Sequence, residues 1–369
     1  MIEDYYRPLI AGIDTLEIGY CISSYMLSES EWCAIAEAKE SAQLTMYDTG
    51  KSMKFRGYDF TVLRTGSVRY KFILSNNDMQ IRIFSDAKSG LYFPELRIAF
   101  RSPFLWRHGW KDAVRKTDEW IQSWANVIEI KISRIDIMVD FMGQLPILSP
   151  ELIEVVTRSR KKREFGIYER YAEGKKASGY RFGANELICR IYDKTTEIIR
   201  SDKKWFETLW ERAGWQQGEP VTRVEFQCRR KMIRQMQIET MEDLFSKMPD
   251  LWRELSSDWL TIRIIQNDSH RTRWNISDVW LVVQDAVSRF GYLTGVSRLK
   301  QLKSKKDTLE GHARGYLLNL AALASKSLPG ADIEYGKRYI EYFVTKILDE
   351  PDLNQGIEKR KHKYDSMEY

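Results

Sequence analysis

Three short runs in this chain alternate polar and apolar residues with a period of two: Ser133–Phe141 (Ser-Arg-Ile-Asp-Ile-Met-Val-Asp-Phe), Leu187–Lys194 (Leu-Ile-Cys-Arg-Ile-Tyr-Asp-Lys) and Thr222–Arg230 (Thr-Arg-Val-Glu-Phe-Gln-Cys-Arg-Arg). That period is the signature of a strand, whose side chains point to opposite faces in turn. If these three segments meet in space, they make a sheet with one apolar face and one face of ions. In the first run Ile135, Ile137, Val139 and Phe141 share a face, and Arg134, Asp136, Met138 and Asp140 share the other. The strand rise puts the two acids roughly 13 Å apart between Cα atoms. That is too far to bind one ion together unless a bulge intervenes, so one acid is expected as a ligand and the other as a group that orients a neighbour.

In the second run Arg190, Tyr192 and Lys194 share a face, with Cys189, Ile191 and Asp193 opposite. Flanking cations favour the phenolate of a group whose ordinary pKa is about 10, and they attract phosphate. In the third, Arg223, Glu225, Gln227 and Arg229 alternate with Val224, Phe226 and Cys228. Taken singly, each run reads more readily as the plain polar face of an amphipathic strand. Taken together, a tyrosine, spaced acids and arginines on one sheet surface are what metal-assisted phosphoryl transfer to tyrosine requires.

The rest of the composition narrows the chemistry. With 58 basic and 52 acidic residues the net charge is only +6, so a polyanion must be met by a local patch. The 43% hydrophobic and 30% charged content is that of a soluble globular chain. The cysteines Cys21, Cys33, Cys189 and Cys228 form no CxxC pair, which argues against a zinc knuckle. Each is expected to be a small buried hydrophobe in a reducing cytoplasm. The histidines His108, His270, His312 and His362 stand too far apart for HExxH or His-x-His motifs. Any metal would therefore rest on carboxylates, favouring Mg²⁺ or Mn²⁺ over Zn²⁺. No P-loop motif, apolar membrane span or signal peptide is legible.

Along the chain, strands are expected at Gly12–Cys21, Phe55–Leu63, Val68–Leu74, Met79–Phe84, Leu91–Phe100 and Val127–Phe141, with a turn at Asn76-Asn77-Asp78. Ser28, with Glu31 three residues on, opens a helix to about Ala42, and Asp112–Trp124 reads as a second helix. Ser149-Pro150-Glu151 starts a short helix, Gly179–Phe182 and Glu186–Tyr192 form a hairpin, and a helix runs from about Thr196 to Arg212. Pro220 precedes the strand Val221–Cys228, and two helices follow to about Leu255. Beyond it the pattern is helical, ending in a charged tail from about Asn354. The expected fold class is α+β: an antiparallel-sheet core in residues 1–255, then a smaller helical region in 256–369. Gly12-Ile-Asp-Thr-Leu-Glu-Ile resembles Arg134-Ile-Asp-Ile-Met-Val-Asp, which suggests a duplicated α/β unit divided near residue 130. The basic run Arg158, Arg160, Lys161, Lys162, Arg163 and the segment Asp268–Trp274, with Arg271 and Arg273, are candidate nucleic-acid contacts.

Arg134-Ile-Asp-Ile-Met-Val-Asp-Phe, Arg190-Ile-Tyr-Asp-Lys-Thr-Thr-Glu and Thr222-Arg-Val-Glu-Phe-Gln, in this order and spacing, resemble the Rep_trans family of rolling-circle replication initiators from plasmids and phages, with related relaxases of integrative conjugative elements. Asp258-Trp259-Leu and Ser269-His-Arg-Thr-Arg-Trp extend the likeness, which spans roughly residues 10–280. The resemblance implies that Tyr192 attacks origin DNA, leaving a 5′-phosphotyrosyl bond and a 3′-OH primer. It implies a Mg²⁺ or Mn²⁺ site on Asp136, Asp140 and Glu225, with Asp193 as a further candidate ligand. It also implies transition-state stabilisation by Arg190 and Lys194, and phosphate contacts by Arg134 and Arg223. Its substrate would be a single-stranded or cruciform nick site with flanking duplex; its partners would be a host helicase and a second copy of the chain. A non-catalytic origin-binding protein and a hydrolytic metal nuclease are the competing classes.

Overall fold

The computed structural model describes residues 6–44, 50–67, 69–84, 93–143, 153–157, 162–164, 179–296, 298, 300–327, 330, 332–361 and 367–368. The chain divides into two compact units, Met1–Ser297 and Arg298–Tyr369.

The first unit contains, in chain order, β1 (Pro8–Tyr25), α1 (Glu29–Leu44), β2 (Gly50–Phe55), β3 (Tyr58–Leu63), β4 (Phe72–Ser75), β5 (Met79–Ile83), β6 (Leu96–Phe100), α2 (Ser102–His108), α3 (Trp110–Gln122) and β7 (Ala125–Met142). There follow β8 (Ile153–Thr157), β9 (Lys162–Glu164), β10 (Gly179–Ala184), β11 (Leu187–Asp193), α4 (Lys194–Arg200), α5 (Trp205–Arg212), β12 (Val221–Arg229), α6 (Arg230–Gln235), α7 (Met241–Arg253), β13 (Leu260–Ile264) and α8 (Asp278–Asp285). Among the described residues eleven strands form one antiparallel sheet in the order β2-β3-β4-β5-β6-β1-β7-β12-β11-β10-β9. The expected α+β class holds. The long strands β1 and β7, which carry the two similar heptapeptides, pair with each other at the centre.

Alternation along the strands separates two faces. Leu16, Ile18, Ile135, Ile137, Val139, Val224 and Phe226 point into the main core, joined there by Trp124 of the α3–β7 turn and Trp252 of α7. The opposite face carries the ions, and one end of it lies beneath a smaller apolar cluster built from Met138, Ile198, Phe206, Trp210 and Trp215. Two glycines of β1 make room on this face. A Cβ at Gly12 would meet the Trp106 ring at 3.1 Å, and one at Gly19 would run into the Pro94 ring.

Several local expectations are corrected. The run 55–63 is a hairpin, because Arg56 (φ 47°) and Gly57 (φ 89°) turn the chain between β2 and β3. The helix expected over 196–212 is two helices, broken where Asp202 takes φ 54°. Ser149-Pro150-Glu151 lies outside the described residues; the segment just after it is strand β8, paired with β13, for which no strand was expected. Residues 353–361 are helical rather than frayed. Cys33 is exposed, whereas Cys21, Cys189 and Cys228 are buried. The capping box expected at Ser28 is present, with Ser28 N–H donating to Glu31 Oε2 at 2.8 Å and Glu31 N–H to Ser28 Oγ at 3.3 Å.

The boundary expected at 255/256 falls inside the first unit. Trp259, Leu260, Ile262, Trp280 and Val283 belong to the same core as Phe226 and Trp252. The end of this unit is pinned by Asp250, which is fully buried and accepts Thr294 N–H (2.8 Å), Thr294 Oγ–H (2.7 Å) and Gly295 N–H (2.9 Å).

The second unit consists of α9 (Leu302–Ser327), α10 (Ile333–Leu348), α11 (Leu353–Lys361) and the two-residue parallel strands β14 (Lys300–Gln301) and β15 (Met367–Glu368). The α9 and α10 backbones approach closely at Gly336, where a Cβ would stand 2.5 Å from the Ala321 carbonyl oxygen. No helix among the described residues is long and apolar enough to cross a membrane.

Because Asp250 holds three donors at once, Asp250→Ala leaves them without their acceptor at a buried site. It should lower stability by about 3 kcal/mol in urea denaturation and expose the segment after Phe290 to limited proteolysis.

Candidate active site

The three runs singled out in the sequence are neighbours in the sheet. β12 lies between β7 and β11, with Arg223 opposite Asp140, Glu225 opposite Met138 and Gln227 opposite Asp136. On its other side Arg223 faces Tyr192, Glu225 faces Arg190 and Gln227 faces Ile188. Directly opposed residues share a face, so Asp136, Asp140, Glu225, Arg190 and Tyr192 stand on one surface. The tyrosine meets the acids: Tyr192 Oη–H donates to Glu225 Oε2 at 3.1 Å.

The ions sort into two groups. At the more open end Arg190 donates from Nη1 to Glu225 Oε1 (2.8 Å) and from Nη2 to Gln227 Oε1 (2.9 Å), so Glu225 is gripped between a cation and the phenol. Beside it Arg134 holds Asp136 through Nε (2.7 Å) and Nη2 (2.5 Å) and reaches Glu17 (3.4 Å). Both guanidinium groups keep access to solvent, with side-chain exposures of 23% for Arg190 and 22% for Arg134.

At the covered end Arg223 has no exposure at all. It donates to both oxygens of Asp140 (2.6 and 2.8 Å) and to Asp14 Oδ1 (2.8 Å). Asp140 also accepts Trp210 Nε1–H (2.9 Å), and Asp14 accepts Ser102 Oγ–H (2.8 Å). Asp14 is available because the β1–β7 register shifts between Ile13 and Thr15 and leaves it without a partner in that register.

Burial and neighbouring charge set the protonation states. Burial pushes the Tyr192 phenol well above its ordinary range, and the Glu225 charge adds to that against the opposing pull of Arg223. The expectation that flanking cations would favour a phenolate is thereby corrected: the phenol keeps its proton and shares it with a carboxylate. Burial raises Asp136 to about 7, helped by Glu225 and opposed by Arg134. Burial would also raise Asp14, but Arg223, Lys194 and Lys203 outweigh it and hold the carboxyl at about 2.

Lys194 does not share the strand face with Tyr192. β11 ends at Asp193, and Lys194 is the first residue of α4, buried between rings at 5.6 Å from the Tyr192 centroid and 4.8 Å from that of Phe206, its amine paired with Glu197. Burial lowers its pKa, with the Arg223 charge next. Asp193 is the N-cap of α4, accepting Thr196 N–H (3.0 Å) and Thr196 Oγ1–H (2.8 Å).

The expected metal ligands therefore do not gather. Asp193 caps a helix, Asp140 is sealed against Arg223 and Trp210, and both oxygens of Asp136 and Glu225 are engaged by the chain's own donors. No group of three His, Cys, Asp or Glu side chains that could hold an ion occurs among the described residues. As arranged, the carboxylates of Asp136 and Glu225 are held by the chain's own cations, so Mg²⁺ or Mn²⁺ would have to compete with Arg134 and Arg190 for them.

Of the expected DNA contacts, Arg271 and Arg273 are exposed on a 3-10 turn. Trp274 beside them is buried and donates Nε1–H to the Asp268 carbonyl (2.7 Å), so it offers no stacking face. Arg158, Arg160 and Lys161 lie outside the described residues; Lys162 and Arg163 are described as backbone of β9, with Arg163 opposite Arg181. Sequence reasoning missed Asp14, Glu17 and Trp210. The signal for Asp14 was present, since its heptapeptide aligns it with Asp136.

No family model and no curated protein matches the chain. Among solved structures it is similar to that of a rolling circle replication initiator protein from Geobacillus stearothermophilus, with 17% identity and a TM-score of 0.44 over 76% of this chain and 96% of that one.

A carboxyl raised in the fold holds its proton where the unfolded chain has lost it, so Asp136 subtracts stability as pH rises from about 4 to about 7. Asp136→Asn should remove that slope: its denaturation midpoint, measured against the wild type, should gain steadily between pH 4 and 7 and level off above.

Proposed function

We propose that this chain is a DNA strand transferase that nicks and rejoins one strand through Tyr192. The observation that carries the reading is the hydrogen bond from Tyr192 Oη to Glu225 Oε2 at 3.1 Å, beside an arginine that is partly open to solvent. A half-buried phenol that holds its proton is a poor nucleophile until that proton has somewhere to go. Glu225 is within the reach a general base needs.

In the proposed reaction Tyr192 Oη attacks the phosphorus of a phosphodiester and its proton passes to Glu225. The bond from phosphorus to the 3′ oxygen breaks, and that oxygen takes a proton from solvent to leave as a 3′-OH. The phosphate stays on Tyr192 as a 5′-phosphotyrosyl ester, which conserves the bond for rejoining. Arg190 faces the incoming phosphate and offsets its developing charge. Lys194 and the Arg223 cluster act one layer back and fix the ring of Tyr192. No step passes through Mg²⁺ or Mn²⁺, because an ion at Asp136 and Glu225 would first have to displace Arg134 and Arg190. On this reading the substrate is origin DNA of a plasmid, phage or conjugative element, and a host helicase and a second copy of the chain are its expected partners. A purely origin-binding protein on the same scaffold would need neither the phenol nor its base.

Incubation with supercoiled origin DNA or single-stranded oligonucleotides, with and without Mn²⁺ or EDTA, followed by denaturing gels before and after protease, tests the proposal. A protease-sensitive shift of the 5′ end is expected from the wild type and none from Tyr192→Phe, with DNA binding intact in both. If Tyr192→Phe still forms the adduct, the assignment of the nucleophile fails. Glu225→Gln, which keeps the shape but cannot take the proton, should slow adduct formation by about 10² or more.

A further inference from the structure

The same ionic face carries a second set of arginines, on the far half of the sheet, organised in the opposite way. In the candidate active site Arg134, Arg190 and Arg223 each hold a carboxylate. On β5 and β6, Arg82 and Arg97 stand directly opposite each other, with Gly19 of β1 on the other side of Arg97. Like charges directly opposed across strands are destabilising. Arg82 turns its Nε and Nη2 onto a neutral acceptor, Gln80 Oε1, at 3.0 and 2.9 Å. Arg97 makes no hydrogen bond or ion pair among the described residues. Its Nε is buried without a partner, and its guanidinium lies 5.9 Å from the Tyr70 ring.

A third cation completes the group. The Arg69 guanidinium stacks 3.6 Å from the centroid of Phe93, a residue that is 50% exposed. The Tyr70 phenol, which donates to the Pro94 carbonyl at 3.0 Å, lies within the field of all three arginines. The nearby acid, Glu95, is buried, and its carboxylate accepts the amide of Ile22 at 2.9 Å. Two opposed, unneutralised guanidinium groups give up stability there, and an anion seated between them would offset their repulsion. Guanidinium forks match phosphate oxygens in spacing and charge. A solvent-facing aromatic with a cation on its ring is the arrangement that receives a nucleic-acid base.

We infer that Arg82 and Arg97 form a backbone-phosphate seat for single-stranded DNA, with Phe93 and Arg69 as the platform for an adjacent base. The ligand class rests on the reading of the Tyr192 site. The geometry places this seat on the surface that carries Tyr192, across β6, β1, β7 and β12 from the Tyr192 strand. A bound strand would therefore run across the sheet, with its scissile phosphate at one end and its hold at the other.

Fluorescence anisotropy of the full chain with a labelled oligothymidylate, over a series of NaCl concentrations, tests this. The R82Q/R97Q variant should bind about tenfold more weakly or worse, and the slope of log K against log[NaCl] should become shallower by about 0.7 for each phosphate the variant no longer neutralises. F93A should weaken binding about fivefold or more with the slope unchanged, because stacking releases no counterion. R82K/R97K keeps the charge and loses the fork, so it should retain the slope at reduced affinity. Wild-type affinity and slope in R82Q/R97Q overturn the inference. If that variant does not fold, wild-type affinity in both F93A and R82K/R97K overturns it instead. A wild type that forms no covalent adduct, while R82Q/R97Q loses oligothymidylate affinity, would remove the strand-transfer reading and leave this seat standing; an adduct-forming wild type with an indifferent R82Q/R97Q does the reverse.

Discussion

A single buried guanidinium organises the covered end of the ionic face. Arg223 has no contact with water, and its charge is tolerated because Asp140 of the adjoining strand and Asp14 of the strand beyond supply three hydrogen bonds between them. Removing one partner of such a group typically costs about 3–5 kcal/mol, so the three strands are fixed in register by electrostatics as well as by backbone pairing. Trp210 donates further to Asp140, and Ser102 to Asp14. The Tyr192 phenol stands directly opposite Arg223 and inherits its place from that arrangement.

The contrast between the two ends follows from burial. At the covered end Arg223 and Asp140 are sealed from solvent, and the neighbouring cations hold Asp14 at about 2. At the open end Arg134, Asp136, Glu225 and Arg190 form pairs that water still reaches, and one of the acids is raised into the neutral range. Of these two ends, the open one has the cations that water reaches, Arg134 and Arg190. On the proposed reading the two regions would divide the work: Arg223 and its acids would hold the tyrosine, and Arg190 with Glu225 would face the phosphate.

Much of this was legible in the sequence because strand alternation is a local property. The faces of 133–141, 187–193 and 222–229 follow from a period of two, and the α+β class follows from those runs and the capped helix at Ser28. Three kinds of feature were not legible. Asp14 meets Arg223 across 209 positions of sequence, and no local signal encodes a contact created by a bulge in the β1–β7 register. Lys194 read as part of the strand face, but Asp193 can cap a helix as well as continue a strand, and tertiary packing chose the cap. Leu260–Ile264 is an apolar run too short to tell strand from helix by periodicity, so the pairing of β13 with β8, and with it the extension of the first unit to residue 297, appears only in the fold.

The central claim is that the hydroxyl held by Glu225 forms the covalent bond to DNA. The direct measurement is mass spectrometry of the trapped complex after protease and nuclease digestion, locating the residual nucleotide on the polypeptide. The account predicts a 5′-phosphate ester on Tyr192. A nucleotide carried by any other residue, or cleaved DNA whose ends carry no amino acid at all, would contradict it.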